Sequence, residues 1–228
     1  MTKIVQISDI HWRGSARHEE YVNAFTSFCN LMAQEKPDVI VCTGDIFHTK
    51  TQGITPEVIE KMVWMFDSLQ KIAPVRILLG NHDGNLANNS RQDSISPIIK
   101  AFDAEPRMIL YKKSGNYSDV LFPEINWGVF SCFDKEGWKN VQMVEDKINI
   151  GLFHGSIIGC QTDGGYQMMG GEESVSFFHG YDFVLMGDIH KTQFLSERQD
   201  KNDKDKPWMG YPGSLIQQNF GEEEKKGY

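Results

Sequence analysis

The chain has 228 residues, 40% of them hydrophobic, and a formal net charge of −8 at pH 7. That length can bury one large core, so a single domain over residues 1–228 is expected. The acidic balance argues against a freestanding electrostatic DNA binder, because phosphate affinity comes from Lys and Arg. No run of 18 apolar residues occurs, and Met1-Thr2-Lys3 leads straight into a predicted strand. Neither a membrane span nor a signal peptide is therefore expected, and the chain reads as soluble and cytoplasmic. The cysteines, Cys29, Cys42, Cys132 and Cys160, form no CxxC pair, and Cys29 and Cys42, in apolar segments, read as free buried thiols in a reducing compartment.

Ile4–Ile7 is the first predicted strand, followed by a polar loop and a helix from about His18 to Glu35 with Tyr21, Phe25, Phe28 and Met32 on one face. Pro37 ends that helix, and Val39–Cys42 is the next strand. Thr55-Pro56 starts a helix that runs to about Ile72, then Val75–Leu79 is a strand and Ser94–Phe102 a shorter helix. Between Met108 and Phe133, short β-like runs alternate with turn residues, which predicts antiparallel strands or hairpins. Ile148–Phe153 and Phe183–Met186 are buried strands. Thr192–Leu195 and Trp208–Tyr211 are two more, around a charged, solvated connector, Glu197–Lys206.

Helix 56–72 carries two apolar stripes, Val58, Met62, Met65, Leu69 and Ile72, and Ile59, Val63 and Phe66. A helix on one sheet needs a single stripe. Either a broad arc lies buried under neighbouring loops, or one stripe meets a second protein surface. Gly159–Gly171 is a Gly-rich segment without a GxxxxGK[ST] phosphate-binding pattern. A mobile lid and an ordinary surface loop both fit it.

Five polar motifs close the strand-like runs: Asp9-Ile10-His11, Gly44-Asp45-Ile46-Phe47-His48, Gly80-Asn81-His82-Asp83, Phe153-His154-Gly155 and Gly187-Asp188-Ile189-His190. Carboxylate, imidazole and amide groups are thereby delivered to the C-terminal edge of a sheet, where open α/β sheets place their ligands. That mixture of oxygen and nitrogen donors suits divalent metals. Asp9 and His11 lie two apart, so at an extended strand end both side chains would point the same way. Asp45 follows Gly44 and can bridge two metals with its two oxygens. His82, beside Asn81 and Asp83, suits the acid that protonates a leaving oxygen, with Asp83 as the carboxylate that supports it. Two divalent cations would bring +4 and reverse the local field of an acidic molecule.

With these residues placed, the whole chain resembles the calcineurin-like metallophosphoesterase superfamily, and within it the SbcD-type nucleases of DNA double-strand-break repair. His48, three residues after Asp45, matches a histidine that those nucleases hold close to the DNA strand. Gly210-Tyr211-Pro212-Gly213-Ser214-Leu215 and Asn219-Phe220-Gly221-Glu222 are similar to their segment after the last metal motif. The resemblance implies an α/β fold, a four-layer αββα sandwich, and manganese dependence, with magnesium as the alternative. It implies that metal one is held by Asp9, His11, Asp45 and His190, and metal two by Asp45, Asn81, His154 and Asp188. Asp188 stands where the family usually has histidine, which predicts a harder, more oxygen-rich second site. The family dimerises through helices after the second and third motifs. Val58, Met62, Met65, Ile95, Ile98 and Ile99 become candidate contacts of a homodimer through helices near 56–72 and 94–102. The chain ends at Tyr228, before the DNA-capping domain and the segment that binds an SbcC-like SMC-type ATPase subunit in such nucleases.

The expected activity is hydrolysis of DNA phosphodiesters, as a 3′→5′ exonuclease and single-strand endonuclease, with His82, Asp83 and His48 as the catalytic residues. Arg13, Arg17 and Lys50 lie near motif ends, where they either touch phosphates or are simply solvated. A phosphatase or cyclic-nucleotide phosphodiesterase using the same metals is the same-class alternative. A non-catalytic scaffold for a partner ATPase is the other.

Overall fold

The structure, a computed structural model, describes residues 2–14, 16–49, 54–197, 206–222 and 226. Among the described residues, β1 (Ile4–Ile7), β2 (Val39–Cys42), β3 (Val75–Leu78) and β4 (Met108–Tyr111) form a four-stranded parallel sheet in that order. A second sheet holds β5 (Gly115–Ser118), β6 (Ile125–Phe130), β7 (Ile148–His154), β8 (Phe183–Gly187), β9 (Gln193–Ser196) and β10 (Trp208–Tyr211). Its order is β5-β6-β7-β8-β10-β9, parallel from β6 through β10, with antiparallel strands β5 and β9 at its edges.

Strands covered on both faces read as unbroken apolar runs, and β2 and β3 are buried at every position. The outer face of the first sheet, Val5, Ile7, Ile40, Val75 and Ile77, packs on α1 (His18–Glu35) and α2 (Pro56–Ile72) through Tyr21, Phe25, Met32, Met62 and Met65. Thr55 starts α2 by accepting the Val58 N–H at 3.4 Å, with Pro56 in the first turn. The shorter α3 (Ser96–Phe102) begins where Asp93 accepts the Ile95 and Ser96 N–H groups at 3.0 and 2.7 Å.

The two sheets meet through Val39, Val41 and Leu78 on one side and Trp127, Val129, Ile150 and Leu152 on the other. Arg76 of β3 also points into this layer. Its guanidinium makes a bidentate pair with Asp119, at 2.6 and 2.9 Å, and neither side chain reaches solvent. Asp119 additionally accepts the Trp127 indole N–H at 3.0 Å.

On the outer face of the second sheet, Phe130, Phe153, Val184, Met186 and Met209 are covered by Phe178, Tyr181, Trp138 and Ile157. The outermost layer here consists of two 3₁₀ helices, Lys135–Asn140 and Val175–Phe178, and of loops. Its connections are rich in Gly, Asp and Asn, which favour turns over helices. Helices, two sheets and this covering layer stack as the expected α/β sandwich, with the outer layer on this side drawn from short elements.

Two expectations need correction, and a third falls outside the described residues. The segment from Met108 to Phe133 is not an antiparallel unit: β4 runs parallel to β3, β6 runs parallel to β7, and only β5–β6 is antiparallel. A short apolar run fixes a strand but not its partner. Of the candidate dimer contacts, Val58, Met62, Met65, Ile95 and Ile98 lie in the core, with Ile99 partly buried against it. The apolar residues that this region leaves exposed are Ile54, Ile59 and Val63. Finally, Lys50 and most of the charged connector, 198–205, lie outside the described residues. Among the described residues no helix is long and apolar enough to cross a membrane.

Candidate metal centre

Every motif leaves its strand at the same edge, and seven side chains converge there from both sheets. The first sheet delivers Asp9, His11, Asp45 and Asn81. The second delivers His154, Asp188 and His190. Convergence does not come from an extended β1 end: Asp9 and His11 lie beyond Ile7 with φ of 51° and 50°, and Asp45 and Asp188 also have positive φ, 52° and 97°. Four non-glycine residues in left-handed conformations at one site represent stored strain, which a packed surround must hold. Part of that surround is the close approach of backbones. A Cβ on Gly80 would lie 2.2 Å from Asp45 Oδ1, and one on Gly187 would lie 2.3 Å from Ser8 Oγ and from the Thr43 carbonyl. Side chains at those two positions would push the strand ends apart.

The two sheets are tied beneath the site. Gln6 Nε2 donates to the Met186 carbonyl at 2.8 Å, and the Asp188 N–H donates to both oxygens of Asp9 at 3.1 Å. Imidazole orientation is set from outside the cluster. His154 Nδ1–H donates to the Thr43 carbonyl at 2.6 Å, and His190 Nδ1–H donates to Glu222 Oε1 at 2.8 Å. Both Nε2 lone pairs therefore face inward, the arrangement of metal-ligating histidines whose other nitrogen is held by an acceptor. Glu222 is itself fixed, accepting from Ser214 Oγ at 3.0 Å, the Gln218 N–H at 2.8 Å and Lys226 Nζ at 2.7 Å.

The donor set fits two adjacent cations. Asp9, His11 and His190 place ligand atoms within 4.8 Å of one another, and so do Asp9, Asp45 and His154. Asp45 faces both groups, with Oδ2 3.5 Å from His11 Nε2 and Oδ1 3.4 Å from His154 Nε2. Asn81 Oδ1 is 3.0 Å and Asp188 Oδ1 3.9 Å from His154 Nε2, which adds both to the second group. His11 Nε2 and His190 Nε2 stand 3.0 Å apart, pointing at each other, a geometry with a clear purpose when both donate to one positive ion.

Without cations, burial strains these charges. Burial pushes the Asp9 carboxyl up to about 6, against the pull of His154, and the Asp45 charge adds to the rise. Burial would raise Asp45 as well, but the imidazoles of His154, His11 and His82 outweigh it and hold that carboxyl below the usual range. Burial pushes the His11 imidazole down to about 3, which keeps it neutral and available as a ligand.

The third motif departs from expectation at Asp83. This carboxylate is fully buried and accepts three backbone N–H groups, from Ile46 at 2.9 Å, Phe47 at 3.1 Å and Gly80 at 2.9 Å. It splints the second motif to the third instead of supporting His82, because those amides lie at the strand ends that it joins. The acceptor for His82 Nδ1–H is the His48 carbonyl, at 2.5 Å. His82 Nε2 lies 4.0 Å from Asp45 Oδ2, and its ring, 40% exposed, opens to solvent. The His48 ring stacks against that of His82, with centroids 6.2 Å apart. His48 thus reaches the site's rim through its ring, and holds His82 through its backbone.

Glu222 was visible in sequence only as part of the tail that follows the last motif. No spacing rule joins it to His190, 32 residues earlier. The Gly159–Gly171 segment closes on itself through Gly159 N–H to the Met168 carbonyl and Met168 N–H to the Cys160 carbonyl, both 2.8 Å. It brings Thr162, Asp163 and Gly164 beside Asp188 and His190 around a 380 Å³ cavity.

Residues 2–192 match the family model described as calcineurin-like phosphoesterase. An uncharacterized protein, R555, of Acanthamoeba polyphaga mimivirus is 38% identical over 96% of the chain, which spans 16% of that protein. A predicted phosphoesterase, 244L, of Invertebrate iridescent virus 6 is 28% identical over 99% of the chain and 74% of its own length. The SbcD component of the SbcCD nuclease from Staphylococcus epidermidis is 24% identical over 99% of the chain, which spans 64% of it. Among solved structures, a dimetal phosphatase from Danio rerio shares the fold at a TM-score of 0.56 and 10% identity, over 94% of this chain and 88% of that one.

Proposed function

The chain belongs to the calcineurin-like phosphoesterase family, and from that premise we propose that it is a two-metal DNA nuclease hydrolysing phosphodiester bonds. Asp9, His11, Asp45 and His190 would hold the first cation, and Asp45, Asn81, His154 and Asp188 the second. Manganese is the proposed ion, with magnesium as the alternative, because Asp188 enriches the second group in oxygen. When bound, such a pair lowers the pKa of water and neutralises the non-bridging phosphate oxygens.

The observation that carries the hydrolase reading is the His48–His82 pair, and the choice of a diester rests on likeness to the SbcD nuclease. Cleaving a diester expels a sugar alkoxide, which needs a proton. With Nδ1–H held on the His48 carbonyl, every proton that His82 exchanges passes through Nε2, the nitrogen on the side of Asp45. The His48 ring stands next to it on the rim, where it would position the strand for exonuclease action. Asp83 acts one step back, holding the loop that carries His82.

DNA is the substrate by likeness to the SbcD nuclease, and 3′→5′ exonuclease with single-strand endonuclease action belongs to the same proposal. So does a partner resembling the SbcC ATPase. A homodimer is included too, with its surface moved to Ile54, Ile59 and Val63. The test compares labelled DNA with a small phosphomonoester, with and without manganese, for the wild type and His82→Ser. The expected result is manganese-dependent DNA cleavage that falls about 10²–10⁴-fold in the variant, with metal still bound. Turnover of the monoester alone would replace the nuclease by a phosphatase. Metal binding with no turnover of either would favour a scaffold.

A further inference from the structure

The 380 Å³ cavity beside Asp188 and His190 shares Asn219 with a larger one of 650 Å³, lined by Arg13, Arg17, Glu20, Gln217, Gln218 and Phe220. The two form a trough that leads from the metal centre over the Gln217–Glu222 turn. That turn is tied to the body of the chain: Gln218 Nε2 donates to the Ile10 carbonyl at 3.0 Å, and Gln217 Nε2 to the Glu222 carbonyl at 2.9 Å. At its tip Phe220 is fully exposed.

A lone exposed aromatic would carry no message. Here it stands on a fixed turn, across from cations, at the end of a trough that starts at the candidate centre. Arg17 is committed to Glu20 and to the Gln217 carbonyl at 2.7 Å. Arg13 spends one of its five guanidinium N–H donors on the Gln218 carbonyl at 3.2 Å, and its side chain lines the larger cavity. A cation beside an aromatic platform is what a single strand needs, a partner for its phosphates and a face for its bases.

We propose that this trough is the path of one nucleic-acid strand away from the metal centre, with Arg13 on a backbone phosphate and Phe220 stacked on a base. The assignment rests on the nuclease reading and adds a strand site to it. Its test is binding of a fluorescein-labelled oligothymidylate with phosphorothioate linkages to the manganese-loaded protein. Phe220→Ala should weaken binding roughly five- to 100-fold. Phe220→Trp should restore it, with indole fluorescence quenched on binding. Arg13→Ala should reduce the slope of log affinity against log salt by about 1. Wild-type affinity and salt slope in both Phe220→Ala and Arg13→Ala would overturn the trough while leaving DNA cleavage in place. A wild-type protein that ignores the oligonucleotide yet hydrolyses p-nitrophenyl phosphate would overturn the nuclease reading, and the trough with it.

Discussion

His190 donates Nδ1–H to Glu222 Oε1 at 2.8 Å, and that carboxylate is only 2% exposed, so a change there should be felt at the cation. Burial alone would raise the Glu222 carboxyl, but Lys226, the Gln218 N–H and His190 outweigh it and bring it down to about 2. It is therefore ionised wherever the protein functions. Glu222→Gln keeps the shape and removes the charge. Manganese affinity should fall about 10–100-fold, as when the acceptor behind a metal-bound histidine is lost. Calorimetric titration that gives the wild-type affinity would show His190 to be oriented by other means. At this scale the sequence was readable where a donor closes a strand, as Asp45, Asn81 and His154 do. It misled at Asp83, whose chain neighbour His82 is not its partner. The left-handed backbone at Asp9 and His11 was equally invisible, since it goes with N–H bonds to the distant Gly44 and Asp45 carbonyls.

At the scale of elements, helix ends and strand ends fell close to their predicted positions: α1 spans His18–Glu35 and α2 spans Pro56–Ile72. Local rules, a cap, a proline and an apolar period, decide those. Pairing between distant elements obeys no local rule, and the Arg76–Asp119 pair between the sheets, 43 residues apart, is the clearest case. Removing one buried partner strands the other, so Arg76→Met should cost about 3–5 kcal/mol in chemical denaturation, and adding Asp119→Leu should recover much of it. The pH dependence has a defined sign. Burial opposes ionisation of Asp119, but Arg76 and the Leu121 N–H overcome it and depress the carboxyl. Its contribution is complete above the unfolded carboxyl value of about 4 and is lost as pH falls toward the lower folded value. The double variant should accordingly lose less stability than the wild type on acidification below about pH 4. An identical acid profile would assign the acid sensitivity to other groups.

The helix α2 bears on the oligomeric state. Its stripes divide into a buried set and a half-exposed pair, Ile59 at 36% and Val63 at 41%. Ile59→Lys with Val63→Lys leaves the core untouched and should convert a sedimenting dimer to monomer with little change in unfolding midpoint. A wild-type protein that already sediments as a monomer at micromolar concentration would remove the homodimer.

For the whole molecule, the candidate metal centre is a second place, besides the Arg76–Asp119 pair, where the two sheets are joined by polar chemistry as well as by packing. Four of its ligand candidates belong to one sheet and three to the other, with Asp9 and Asp45 buried between them. Cations at this position would act as a staple across the interface and would offset the repulsion of carboxylates that burial already penalises. Binding to the folded chain alone adds RT ln(1 + [L]/Kd), about 2.7 kcal/mol at a hundredfold excess over Kd. For a chain of this size that corresponds to a rise in Tm of roughly 5–10 °C. Manganese should therefore raise the melting temperature of chelator-treated protein by about that much. Hydrogen exchange should slow most at the β7 and β8 ends that carry His154 and Asp188. Protection confined to the first sheet would mean that the cation is held by Asp9, His11 and Asp45 alone. No change in either quantity would mean that the seven side chains meet for a reason other than metal.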